Sequence, residues 1–108
     1  MKFGICNEIF KAWNDIERTI DYVKETGYDG LEIAPFTFAP YVTDISDSTR
    51  KDIVRYAAAA DLDILGIHWV FVGPDGVYLT HPDPEVRAFT ANYLVELVRF
   101  CGEIGGKV

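Results

Sequence analysis

Tyr28-Asp29-Gly30-Leu31-Glu32-Ile33 and Leu62-Asp63-Ile64-Leu65-Gly66-Ile67 are two versions of one phrase, 34 positions apart from Asp29 to Asp63. Each is a short run of strand formers behind an aspartate. A strand, a crossover helix and the next parallel strand need about 30 residues or more, so the repeat is one structural unit long.

The stretches around the repeat fit that unit. Lys2 to Asn7 (KFGICN) reads as a strand before the first copy. Asn14-Asp15-Ile16-Glu17 has the form of a capping box, with Asn14 as cap and Glu17 three residues on. Ile16, Ile20 and Val23 follow at helical spacing, and Gly27 supplies a left-handed stop, which predicts a helix from about Asp15 to Thr26. Pro35 ends the strand Gly30 to Ala34. Ser46 or Asp47 opens a second helix carrying Ile53, Tyr56, Ala57 and Ala60 on one face. Ile64 to Val72 reads as the third strand, and Gly73-Pro74-Asp75-Gly76 as a turn, after which Val77-Tyr78-Leu79 folds back as a short extension or hairpin. Asp83-Pro84-Glu85 is a cap, a proline at the first helical position and an acid in the first turn. Val86, Thr90, Tyr93, Leu97, Phe100 and Ile104 then keep the 3.6 period until Gly105-Gly106. Lys107-Val108 reads as the first step of a fourth strand.

Alternating strands and helices imply right-handed crossovers and a parallel sheet. The repeat also sorts the faces, because side chains alternate along a strand. Leu31 with Ile33, Leu65 with Ile67, and Phe3 with Ile5 take the helix side. The opposite face receives Gly4, Cys6 and Glu8, then Glu32 and Ala34, then Gly66 and His68. Small residues mixed with acid and histidine suit the interior of a closed barrel better than the core of an open sheet. The helix-to-strand connections are short and the strand-to-helix connections are long and aromatic, which is where (βα)8 enzymes build their sites. The predicted fold is α/β: a parallel (βα)3 segment, the first three units of a (βα)8 barrel, with residues 1–108 as one incomplete domain.

Composition narrows the partners. Hydrophobic residues make up 49% and charged residues 25% of the 108, which demands a packed core. Acidic residues outnumber basic ones 17 to 10, for a formal charge of -7. That argues against nucleic acid, whose binding rests on displacing phosphate counterions with lysine and arginine. No basic run addresses a membrane surface, and no apolar run is a signal peptide or a bilayer span. Cys6 and Cys101 form no CxxC pair and read as reduced, in keeping with a cytoplasmic location.

Taken together, GICNE at residues 4–8, GLEIAPF at 30–36, LGIHWVFV at 65–72 and HPDPEVRAFTANYLVELVRFCGEIGGKV at 81–108 resemble the N-terminal part of the xylose isomerase-like TIM-barrel family. Sugar-phosphate isomerases and epimerases belong to it, and endonuclease IV is a relative. The resemblance implies a barrel of about 250 residues, a sugar or sugar phosphate as substrate, and a divalent metal (Mn, Mg or Zn) held by carboxylates and histidine, mostly from later strands. Those ligands have no counterparts here, so neither a metal site nor a cofactor is expected within this chain, and no catalytic residue is assigned.

What the resemblance carries over is a pocket-lining role for Glu32 and His68. An acid inside an apolar strand is costly unless paired; Glu32 is either an acceptor for a sugar hydroxyl or half of a structural ion pair. His68 either lines the pocket, where an imidazole can bind a substrate hydroxyl, shuttle a proton or, less in keeping with the lack of a ligand cluster, ligate a metal, or is a satisfied core histidine beside Trp69. Trp69 and Phe36 are candidate pocket walls, the alternative being that the loop aromatics cap the barrel or cover a subunit interface. Glu8 is a candidate at the pocket mouth or a solvated loop acid. Cys6 reads as a small core residue with no adjacent base, and the charged residues of the helices as solvated faces. A three-stranded parallel sheet with one bare face also predicts self-association or a complementing chain.

Overall fold

In a computed structural model, which describes residues 1–108, β1 (Gly4–Cys6), β2 (Gly30–Ile33) and β3 (Asp63–Ile67) form one parallel sheet in that order. Between and after them run α1 (Ile16–Glu25), α2 (Asp47–Ala59) and α3 (Pro84–Glu103). Sequential strand order with right-handed crossovers puts the helices on one face of the sheet. This is the layout of the opening units of a (βα)8 barrel, as the repeat implies. No helix is long and apolar enough to cross a membrane.

The core lies between sheet and helices. Leu31 and Ile33 are fully buried against Ile20 and Val23 of α1, Ile53 of α2, and Leu97 and Phe100 of α3. Each such side chain contributes about 1.5–3 kcal/mol by leaving water. Ile5 and Ile67 pack at the margin of the same cluster. Phe3 does not: it precedes β1 and is 55% exposed.

The strand pairing corrects one face assignment. Gly30 pairs with Asp63 and Leu31 with Ile64, but Glu32 pairs with Gly66 and Ile33 with Ile67. Leu65 is the extra residue of a bulge. Ile64, not Leu65, therefore enters the core, while the Leu65 side chain lies on the other face, over Gly4 and Gly30, in space that a Cβ on either glycine would need. Downstream of the bulge the expected phase is restored, and His68 N donates to Ile33 O at 3.1 Å. β3 stops at Ile67 instead of running to Val72. Trp69 turns left-handed at φ 56°, a conformation that costs a non-glycine residue about 1–3 kcal/mol and that ends the extended run. Val77-Tyr78-Leu79 is not a strand; Val77 is buried in the core and Tyr78 N donates to Thr90 Oγ1 at 2.9 Å.

Helix boundaries follow their caps. Ser46 caps α2 and Asp83 caps α3, with Pro84 in its first turn. At α1 the cap is Asp15, whose carboxylate accepts from Arg18 N at 2.9 Å. Asn14 instead closes the preceding 3-10 turn (Asn7–Trp13) in a left-handed conformation, φ 48°. Asparagine tolerates that geometry well, which is why it stands one residue too early to cap. Arg50 also departs from a solvated face: its guanidinium donates to Ile45 O and Val42 O, both at 3.0 Å, and pairs with Glu103, joining α2 to the end of α3. After Gly105, Lys107 N donates to Leu65 O (3.0 Å) and Val108 O accepts from Ile67 N (2.8 Å), so the last two residues lie along β3 as the start of a fourth strand would.

The cap assignment has a direct check. Asp15→Ala is expected to cost about 1 kcal/mol, lowering the thermal midpoint by about 4–8 °C for a domain near this size. Asn14→Gly, which keeps the left-handed backbone, should leave the midpoint within about 2 °C of the parent. Equal losses in the two variants would contradict the assignment.

Candidate functional site

The ends of β1, β2 and β3 bring Cys6, Glu32 and His68 together on the face away from the helices. Their positions are set by Asn7, whose side chain is clamped beneath the site. Asn7 is 6% exposed. Its Oδ1 accepts from Ala34 N at 2.8 Å, and its Nδ2 donates to Thr37 Oγ1 at 2.8 Å. The Thr37 hydroxyl donates in turn to Ala34 O at 2.7 Å. This closed circuit satisfies a buried amide and ties the turn after β1 to the turn after β2. Cys6 and Glu8 flank Asn7, so the clamp fixes both.

His68 is the hub of the group. Its Nδ1 lies 2.8 Å from Glu32 Oε2, its Nε2 2.8 Å from Cys6 Sγ and 3.5 Å from Glu8 Oε2. A carboxylate only accepts, so Glu32 takes the Nδ1–H. In the neutral ring Nε2 then carries the lone pair, and the Cys6 thiol donates to it. This tautomer satisfies Glu32 and Cys6, while Glu8, itself an acceptor, lies nearby without a hydrogen bond to the ring. The group is half-buried, with His68 24% and Glu8 29% exposed, and Glu32 more open at 43%.

Electrostatics keep the sulfur protonated. Burial pushes the Cys6 thiol up to about 11, helped by the negative charges of Glu8 and Glu32 and opposed by the backbone N–H groups of Glu8 and Asn7. A nucleophilic cysteine needs the opposite setting, a thiolate held by positive charge. The group as it stands donates and accepts hydrogen bonds and holds a proton at Cys6 Sγ, ready to share it with His68 Nε2. Its sulfur, imidazole and carboxylate are also metal-binding atoms, and those of Cys6, Glu8 and His68 all lie within 4.8 Å of one another.

Each expected site residue has a definite place. Glu32 and His68 are in direct contact on the inner face. Glu8 joins them and is not a free loop acid. Trp69 stands beside His68, ring centroids 6.3 Å apart, and is 58% exposed. Phe36 is half-buried, with the Lys11 ammonium 5.0 Å from its ring centre. Phe10 and Trp13 are structural: they pack edgewise on Tyr22 of α1, and Arg18 covers Trp13. Cys6 has the adjacent base that the sequence did not disclose. Its phase along β1, matching Gly4 and Glu8, was the available signal; contact with a histidine 62 residues away was not. Asn7 and Thr37 carried no signal of their clamping role. A cavity of about 360 Å³ opens on the other side of the clamp, between the N-terminal turns of α1 and α2, lined by Asn7, Lys11, Asp15, Thr37 and Thr49 among others. It does not reach His68.

Thiol protonation gives a pH test. Alkylation of Cys6 by iodoacetamide at pH 8, read by peptide mass, should run about a hundredfold slower in the folded chain than in the urea-unfolded chain and rise until pH is near 11. Because a raised value favours the folded state only while the thiol is protonated, this contribution is whole below the unfolded value and fades as pH climbs through 11. Glu32→Gln and Glu8→Gln should each move the alkylation profile to lower pH. Rapid alkylation at neutral pH would contradict the site's electrostatics.

Among curated proteins, none matches the chain. A family model described as xylose isomerase-like TIM barrel matches residues 20–108, from within α1 to the last residue. The matched span holds β2, β3 and all but the first turn of the helical layer, so the chain belongs to the xylose isomerase-like TIM-barrel family.

Proposed function

We propose that this chain supplies one wall of the substrate pocket in a metal-assisted sugar or sugar-phosphate isomerase or epimerase. The observation that carries the reading is the Glu32–His68 pair, 2.8 Å apart at the C-terminal ends of β2 and β3, the end at which barrels of this kind do chemistry. Glu32 fixes the imidazole by accepting its Nδ1–H, which leaves the lone pair on Nε2. His68 Nε2 then accepts a hydrogen bond from a substrate hydroxyl in place of the thiol. Glu8 offers a second acceptor at 29% exposure, and Trp69 an exposed ring face for the apolar side of a sugar. The two free thiols suit a reducing, cytoplasmic compartment.

The divalent ion of such a reaction polarises carbonyl and hydroxyl oxygens when bound. The residues of this chain do not fit a hard ion such as Mg²⁺, which prefers oxygen ligands; the group at His68 offers one sulfur, one nitrogen and one carboxylate. In this reading the carboxylates that hold the ion, and those that move the proton, come from further βα units. Exchange of the proton next to a sugar carbonyl into deuterated water tests it. The 108-residue chain with Mn²⁺ or Mg²⁺ should catalyse no exchange on a panel of ketoses and aldoses. A barrel completed with further βα units should do so, and Glu32→Gln or His68→Gln should lower its kcat/KM by about 10²-fold or more. Exchange by the chain alone, or a completed barrel indifferent to both variants, would overturn the reading.

A second reading concerns the bare face itself. Leu65 lies on it, and the outer edge of β1 pairs with no strand. Parallel sheets are normally covered on both faces. Another copy of the chain, or a complementing chain, covers this one. Sedimentation at micromolar concentration should show species larger than a monomer; a compact monomer throughout would rule it out.

A further inference from the structure

We propose that Cys6, Glu8 and His68 are three ligands of a zinc site with one open coordination position, and that Glu32 orients the histidine from behind. The argument starts from distances. Tetrahedral zinc binds sulfur at about 2.3 Å, imidazole nitrogen at about 2.0–2.1 Å and carboxylate oxygen at about 2.0–2.2 Å, which spaces the ligand atoms roughly 3.3–3.6 Å apart. His68 Nε2 and Glu8 Oε2 are already 3.5 Å apart. Cys6 Sγ is drawn in to 2.8 Å by its hydrogen bond to the same nitrogen. Replacing the shared proton with an ion requires the sulfur to withdraw by about 0.5–0.8 Å, within reach of a rotation about its side-chain bonds.

The histidine is prepared for this role. Metal-bound imidazoles almost always donate their second N–H to a carboxylate, carbonyl or water, which fixes the tautomer and raises the basicity of the ligating nitrogen. Glu32 occupies that position at Nδ1, and Nε2 is left facing Cys6 and Glu8. The backbone is equally prepared. Cys6 and Glu8 flank the clamped Asn7, and His68 N is bonded to Ile33 O. Sites built on such anchored positions need little reorganisation on binding.

Ligand chemistry selects the ion. A set of one thiolate, one imidazole and one carboxylate suits zinc and disfavours magnesium and calcium. Three protein ligands leave a fourth position for water or substrate, as in catalytic zinc sites. Binding is balanced by proton release: Cys6 S–H gives up its proton to solvent as the Zn–S bond forms. One proton leaves per zinc at neutral pH. The inference stands apart from the isomerase reading, in which the same Nε2 lone pair takes a substrate hydroxyl, and the metal alone tests it.

The experiment is titration of the whole chain with Co²⁺ and then Zn²⁺. Cobalt should give the visible absorption of a tetrahedral ion and a thiolate-to-cobalt charge-transfer band in the near ultraviolet, both displaced by stoichiometric zinc. A pH indicator should report one proton released per zinc. Cys6→Ala should abolish the charge-transfer band, with circular dichroism confirming the fold, while Cys101→Ala should retain it. Glu32→Gln should keep the band but weaken binding about 10–100-fold. Absence of a thiolate band at saturating cobalt, or a band that survives Cys6→Ala, would overturn the proposal.

Discussion

Burial of Leu31 and Ile33 under the helices is the constraint from which the site follows. Both side chains are wholly removed from water, and β2 is the middle strand, hydrogen-bonded on both sides. A slip of one residue would expose two large aliphatic groups and bury a carboxylate, a loss of several kcal/mol. With that register fixed, Glu32 has to project from the opposite face. The neighbouring strands then determine what it meets. Cys6 is its partner on β1, and His68, one residue past β3, arrives beside it.

Polar groups on that face satisfy one another. Glu32, His68 and Cys6 form a chain of donors and acceptors with Glu8 alongside, and with the Asn7–Thr37–Ala34 circuit beneath them no buried side-chain polar atom is left without a partner. A sheet meant only to be covered by apolar surface would not place two acids, a histidine and a thiol at its strand ends. The left-handed Trp69 immediately after His68 adds backbone strain at the same place, as is common where geometry serves binding.

The sequence disclosed the unit, its order and the inner phase of Glu32 and His68, because alternation and helix capping are local properties. It misplaced Leu65 because a bulge is a pairing event: the 34-residue repeat matched Leu31 to Leu65, while the ladder matches Leu31 to Ile64. It chose Asn14 over Asp15 as a cap because either residue type suits that position, and only the left-handed backbone of Asn14 separates them. It extended β3 through Trp69 because the apolar run continues beyond the point where the strand turns. It read Cys6 as inert because the base beside it comes from the far end of the sheet, and such contacts leave no trace in spacing.

The tautomer of His68 tests the assembled site most directly. Nitrogen-15 NMR of the imidazole at neutral pH should show a protonated Nδ1 and an unprotonated Nε2, and Glu32→Ala should remove the preference while leaving the β2–β3 amide resonances in place. A ring protonated at Nε2, or one indifferent to Glu32, would contradict the arrangement on which the isomerase and zinc readings both draw.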